Sequence, residues 1–263
     1  MPVVGLIVLI AAITGGVVFV TSGKSSPAAI QSPAEANSAL YAAALASGSF
    51  HYTASSTGTL GGKAVVASQI GNVGRTEGVQ YMTSPIGDYE VIVINSIAYM
   101  KPNATMVENT FGYSPTEAAS LAGRWISFTP SDAPYSSVAA DVTTETTWND
   151  PSDSPGNGLP ATPVSVSGVS TLNGQSVQSV RYSIRGTSKT SNASDSGSET
   201  MVFSASDPHL PIYDTDHLSG TTGQQTASES DKVTFTQWGI PVNVTAPTGS
   251  IPYSTLPGTS TTA

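Results

Sequence analysis

Residues Tyr89 to Lys101 read YEVIVINSIAYMK. Two runs of β-formers, YEVIVI and IAYMK, flank Asn95-Ser96, a pair suited to a tight turn. Alternation places Tyr89, Val91 and Val93 on one face and Ile92 and Ile94 on the other. Both faces are apolar, so this strand is expected to be covered on both sides. Working outward, short runs of the same texture precede it. Phe50, Tyr52 and Ala54 alternate with His51, Thr53 and Ser55, and strands are expected around Lys63–Ile70 and Glu77–Thr83. Gly61-Gly62, Gly71-Asn72 or Gly74, and Pro85–Asp88 supply turns. The segment reads as an antiparallel meander.

Helix signals bracket it. Ser32, Pro33 and Glu35 form a helix start before AEANSALYAAALAS, and Gly48 stops it. Ser114-Pro115-Thr116-Glu117 opens a second helix that ends at Gly123. Ser131–Val142 has room for a short third one. Arg124–Phe128 reads as a strand, and Thr143–Pro163 as a loop rich in Pro, Gly, Ser and Asp. Strands return at Val164–Val169, Ser176–Arg185, Glu199–Ser204, Leu210–Tyr213 and Lys232–Trp238, with Asn173-Gly174 as a hairpin turn. Ser188–Ser198 and Thr221–Ser230 read as polar loops, and Ile240–Ala246 as a closing strand.

The chain of 263 residues has no cysteine, so disulfides, thiolate metal sites and a lipid-modified cysteine are excluded. Only 10% of residues are charged, nine basic against eighteen acidic, and 39 Ser and 32 Thr fill much of the rest. So few cations argue against nucleic-acid binding. The hydroxyl-rich texture resembles secreted and cell-surface domains.

Val3–Val20, VVGLIVLIAAITGGVVFV, is an uncharged run of 18 residues. As a helix it would span roughly 27 Å, close to the ~30 Å hydrocarbon core of a bilayer. It is expected to be a membrane anchor; a cleaved signal segment is the competing reading, with a shorter apolar region as a rule. The expected organisation is an anchor at 1–24, a linker at 25–32, an extracytoplasmic domain at 33–246 and a disordered Ser/Thr/Pro tail at 247–263.

Several short motifs then share an order: Tyr99 with Lys101, Ala122-Gly123-Arg124-Trp125, Asn173-Gly174, Leu210-Pro211 and Trp238-Gly239-Ile240-Pro241-Val242. In this order the chain resembles the actinobacterial cell-envelope lipoproteins of the LppX/LprG type, relatives of the LolA/LolB carriers, over roughly Ala34–Pro247. The resemblance implies an α+β fold: a strongly curved antiparallel half-barrel with helices on its concave side. It also implies a lipid or glycolipid ligand held between sheet and helices. The family's lipid-modified cysteine is absent here, and Val3–Val20 is the expected tether in its place.

No HExxH, G-x-S-x-G or P-loop pattern occurs. Asp214, Asp216 and His217 form a D-x-D-H cluster that reads as a solvated turn rather than a metal site, which would need a fourth ligand. Asp150, Asp153 and Asn157 read as a solvated loop rather than a Ca²⁺ site. Trp125 and Trp238 fit a core; Trp148, inside a polar loop, fits one least. Asn103, Asn192 and Asn243 begin N-x-[ST] triplets that arise easily in such a composition. The expected function is non-enzymatic binding of a lipid or other apolar ligand at the extracytoplasmic face of the cell membrane, without cofactor or metal. The expected lining is Leu40, Tyr81, Ile92, Ile94, Met100, Leu121, Ile184 and Phe203. The alternatives are that these side chains simply fill a core, and that the domain is a surface interaction or sensor module without a cavity.

Overall fold

The computed structural model describes residues 29–148, 161–187, 194–222 and 225–257. Val3–Val20 and the Asp150, Asp153, Asn157 group lie outside them. Among the described residues no helix is long and apolar enough to cross a membrane.

The fold is α+β. Along the chain run α1 (Pro33–Ser47), β1 (Phe50–Leu60), β2 (Lys63–Val73), β3 (Gly78–Thr83), β4 (Tyr89–Ile94) and β5 (Ile97–Pro102). Next come α2 (Ala104–Phe111), α3 (Pro115–Leu121), β6 (Ile126–Phe128), α4 (Tyr135–Val138) and α5 (Thr144–Thr147). Then follow β7 (Ala161–Val166), β8 (Ser170–Leu172), β9 (Gln175–Thr187), β10 (Ser194–Ser204), β11 (Pro211–Thr222), β12 (Gln225–Thr236) and β13 (Ile251–Pro252), with a 3-10 turn at Tyr253–Thr255. The chain divides into two compact units, and α1, β1, β2 and β12 contribute residues to both.

The unit formed by residues 40–52, 69–148 and 235–257 carries the meander. Its strands bond in the order β13-β6-β5-β4-β3-β2; the β6–β5, β5–β4 and β4–β3 pairs are antiparallel and the β13–β6 pair is parallel. Asn95 and Ser96 take left-handed φ of 53° and 58°, the tight turn that brings Ile94 opposite Ile97. Val91 and Val93 point into a core with Met100, Met106, Leu121 and Phe128. On the other face of β4, Ile92 keeps only 9% exposure, as does its partner Tyr99.

Helix α3 begins as its sequence dictates. The Ser114 hydroxyl accepts from the Glu117 amide, and the Glu117 carboxylate accepts from the Ser114 amide at 3.0 Å. Helix α2 was not expected. Asn103 starts it by accepting the Met106 amide at 2.8 Å, and Gly112 ends it with φ 70°.

Two expectations near the C-terminus are corrected. Residues 240–246 form no strand. The tail is not disordered from 247: Ile251 and Pro252 pair with β6, and Tyr253 stacks on Phe128 at 5.0 Å. Leu256 is buried in the same core. The Ser/Thr/Pro texture concealed three apolar residues spaced to cover one patch. Within the supposed loop after Thr143, α5 forms through a capping box of Thr143 and Thr146. It delivers Trp148 into full burial beside Tyr41, Phe50, Phe235 and Trp238.

The unit formed by residues 29–39, 53–68 and the described part of 151–234 carries the long hairpins. Its strands bond in the order β1-β12-β11-β10-β9-β7, with β8 also on β9. The polar stretches expected as loops are largely strand: β10 starts at Ser194, β11 runs to Thr222 and β12 starts at Gln225. Long hairpins with hydroxyl side chains on both faces leave no apolar alternation to read. Pro163 marks a register shift in β7, at the outer edge of this unit's sheet.

Candidate ligand-binding face

Register decides what β9 to β12 present together. Val180, Met201, Asp214 and Val233 stand in one cross-strand row. Tyr182, Glu199, Asp216 and Asp231 form the next, and Ile184, Gly197, Leu218 and Glu229 the third. Directly paired residues share a face, and alternate residues along a strand return to it. All twelve positions therefore lie on one side of the sheet. Val180, Ile184 and Met201 are fully buried there, and Tyr182 nearly so.

The start of α1 is tied to this unit at two points. The Tyr182 hydroxyl donates to Asn37 Oδ1 at 2.8 Å. Gln178 clasps Ile30, its Oε1 accepting the Ile30 amide at 3.0 Å and its Nε2 donating to the Ile30 carbonyl at 2.9 Å. Both partners come from alternate positions of β9, so the attachment runs along the apolar face.

The expectation that Asp214, Asp216 and His217 make a solvated turn is corrected. Asp214 and Asp216 sit mid-strand in β11 with 3% and 2% exposure, and His217 faces the opposite side, its Nδ1 2.8 Å from the Ser230 hydroxyl. Glu199, Glu229 and Asp231 are buried beside them. Paired positions in such a sheet set their Cβ atoms roughly 5 Å apart, so Glu199, Asp216 and Asp231 form a continuous acidic row. The signal in the sequence was the spacing D-x-D at 214–216 and E-x-D at 229–231. Within strands it puts each pair on one face, but only register sets the pairs opposite each other.

The described basic residues of these strands lie on the opposite face from the row. Arg181 and Lys232 pair with Thr200 and Thr215, and Arg185 with Ser196, on the other side of the sheet. Lys232 Nζ lies 5.1 Å from the centre of the Tyr213 ring. Burial is the first cause that holds the carboxyl of Asp214 well above the usual carboxylate range, followed by the charges of Glu199 and Asp216. Burial likewise raises Glu229, whose Oε1 accepts from the Ser56 hydroxyl at 3.0 Å. It pushes Asp231 up to about 10, with Asp216 and Glu229 adding to it. Asp214 Oδ1 is buried without a hydrogen-bond partner among the described residues. Among the described residues no three His, Cys, Asp or Glu are placed to hold a metal ion.

The expected lining residues fall into separate places. Ile184 and Phe203 belong to the hairpin unit and share a face. Phe203 pairs with Gln178, however, six positions along β9 from Ile184, or roughly 20 Å at strand rise. Leu40, Ile92, Met100 and Leu121 are buried in the meander unit, and Ile94 is half-buried. Tyr81 is 50% exposed, and its hydroxyl donates to Glu90 at 2.9 Å. A cleft of about 310 Å³ is lined by Thr162, Val164, Ser183 and Arg185, and another of about 200 Å³ includes Leu172, Val177, Val202 and Tyr213. Neither takes in an expected lining residue. The histidines are each engaged locally, His51 with Asn72 at 2.9 Å and His209 with the Ser204 carbonyl at 3.0 Å.

No family model matches the chain, and no curated protein matches it. Among solved structures it is similar to LprF from Mycobacterium bovis, at 15% identity and a TM-score of 0.34, over 86% of this chain and 100% of that one. It is also similar to a LolA superfamily protein from Nitrosomonas europaea, at 7% identity and a TM-score of 0.30, over 81% of this chain and 96% of the other. A putative outer membrane lipoprotein-sorting protein domain from Vibrio parahaemolyticus resembles it at 9% identity and a TM-score of 0.25, over 73% of this chain and 87% of that one. These are likenesses of fold, to LprF and to LolA-type proteins.

Proposed function

We propose that the protein is a non-enzymatic extracytoplasmic binding protein, tethered by Val3–Val20, that takes an acyl chain or other apolar ligand against the inner face of β9 and β10. The observation that carries this reading is the attachment of α1 to that face. The helix start is clipped to β9 through Gln178 and Tyr182. Val180, Ile184, Met201 and Phe203 are fully buried on the same side. The chain leading into α1 and the first turns of the helix lift from these polar clips without breaking a strand ladder, exposing apolar side chains of β9 and β10, and apolar clefts of this kind take apolar ligands. In this reading Ile184 and Phe203 touch the ligand, Leu40, Ile92, Met100 and Leu121 are buried in the meander unit, and Tyr81 and Ile94 take no part in binding.

The test is native mass spectrometry of the full-length chain after gentle extraction, with uptake of a fluorescent fatty-acyl probe measured in parallel. Co-purified lipid and saturable uptake, reduced at least threefold by Ile184→Trp, are expected. A chain that carries no lipid and takes up no probe overturns the reading. It would instead support the interaction module, which the exposed Val164 and Val169 near the β7 edge favour.

A further inference from the structure

The face of β9 to β12 opposite Tyr182 and Met201 carries a different set of side chains. Arg181 and Lys232 end one cross-strand row, with Thr200 and Thr215 between them. The next row on this face has His217 as its third member, and the one beyond begins at Arg185. Every other position of those two rows is serine. Three rows of four thus hold three cations, no acid and no apolar side chain, in a chain with twice as many acidic as basic residues. The acids of these strands whose side chains are described, Glu199, Asp214, Asp216, Glu229 and Asp231, all belong to the inner face.

The cations are available. Arg181 and Arg185 are exposed, and neither makes a hydrogen bond or ion pair among the described residues. Lys232 is half-buried against the Tyr213 ring. Arg185 stands four positions along β9 from Arg181, about 13 Å at strand rise, and Lys232 three strands away, about 14 Å. Hydroxyls fill the space between them. A cleft of about 310 Å³ opens at the Arg185 corner, lined also by Thr162, Ser183 and Val164.

A guanidinium with no acid beside it can take an oxyanion through two parallel hydrogen bonds. Serine and threonine hydroxyls both donate and accept, as sugar hydroxyls do. The rows offer no apolar side chain to insert into a bilayer and no aromatic ring on which a nucleobase could stack. We propose that this face docks an anionic polysaccharide, with Arg181, Arg185 and Lys232 on its acidic groups and the hydroxyl rows on its sugar hydroxyls. The cleft beside Arg185 seats one sugar unit. The face lies opposite the one proposed for the apolar ligand, and neither reading depends on the other.

The experiment measures binding of the full-length chain in neutral detergent to immobilised polygalacturonate and dextran sulfate, with uncharged dextran as control. Saturable binding to an anionic polymer is expected, and none to dextran. Three contacts at about 0.7 counterion each give a salt slope near −2, so affinity should fall by roughly tenfold or more between about 50 and about 200 mM salt. Arg181→Gln and Arg185→Gln should each weaken binding at least about threefold, and the double variant at least about tenfold, at an unchanged Tm. Lys232→Gln is read in the same way if either arginine variant fails to fold. Lys101→Gln and Arg124→Gln, in the meander unit, should leave the affinity unchanged. Absence of binding to both polymers overturns the proposal, as does binding that the double variant retains in full. Stronger competition by poly(dT), or by dihexanoyl phosphatidylglycerol micelles, than by free polymer gives the face to a nucleic acid or a membrane and overturns it too.

Discussion

Trp148→Ala is the sharpest test of how the meander unit is packed. The indole is fully buried, its ring 5.2 Å from Tyr41, 5.5 Å from Phe235, 6.3 Å from Trp238 and 6.4 Å from Phe50, centre to centre. A buried tryptophan removes roughly 150–250 Å² from water, worth about 4–6 kcal/mol at ~25 cal/mol per Å². Alanine keeps a small part of this, and the void cannot collapse fully among four rigid rings. A loss of about 4 kcal/mol is expected, within the ~3–5 kcal/mol range of such truncations. Phenylalanine separates packing from polarity. Trp148 Nε1 is buried without an acceptor among the described residues, which costs about 1–3 kcal/mol. Trp148→Phe gives up part of the ring area but relieves that penalty, so it should lie within about 1 kcal/mol of wild type. Urea denaturation followed by far-UV circular dichroism measures both. A loss below about 1 kcal/mol for the alanine variant would refute the packing argument. Equal losses for the two variants would show that the N–H is satisfied.

Two further outcomes follow from the meander unit. Truncation after Gly249 removes Ile251, Tyr253 and Leu256 from the core around Phe128, and should lower the Tm by about 5–10 °C in a thermal scan; an unchanged Tm would return these residues to a loose tail. Gly87→Ala should destabilise by more than about 1 kcal/mol, because φ there is 132° and an added Cβ would lie 2.3 Å from the Met106 amide nitrogen. A neutral result in urea denaturation would mean that α2 can shift away.

Local signals explain what the sequence revealed. Helix α3 was legible because Ser114, Pro115 and Glu117 act within four residues. The β4–β5 hairpin was legible because Asn95-Ser96 is a local turn between apolar strands. Helix α2 escaped because its cap, Asn103, follows directly on β5 and heads a triplet that also reads as a glycosylation site. Trp148 and Leu256 escaped because their burial depends on partners distant in sequence, Phe50 and Phe235 for one and Phe128 for the other. The candidate face was half legible. Alternation put Ile184 on one side of β9, but nothing local tells that Asp216 stands opposite Glu199 and Asp231. The polar ends of the long hairpins gave no apolar period at all, and backbone pairing, not side-chain burial, extends them.

The outermost strands of the two units each contain a proline. β7 has Pro163 beside a register shift, and β13 is only two residues long, Ile251 and Pro252. Proline offers no N–H, and a bulged or very short edge gives an incoming strand little to align with. A second molecule approaching either margin meets an interrupted row of donors. At high local concentration, a protein built so largely of uncharged hydroxyl-bearing strands is thereby kept from growing edge to edge into fibres.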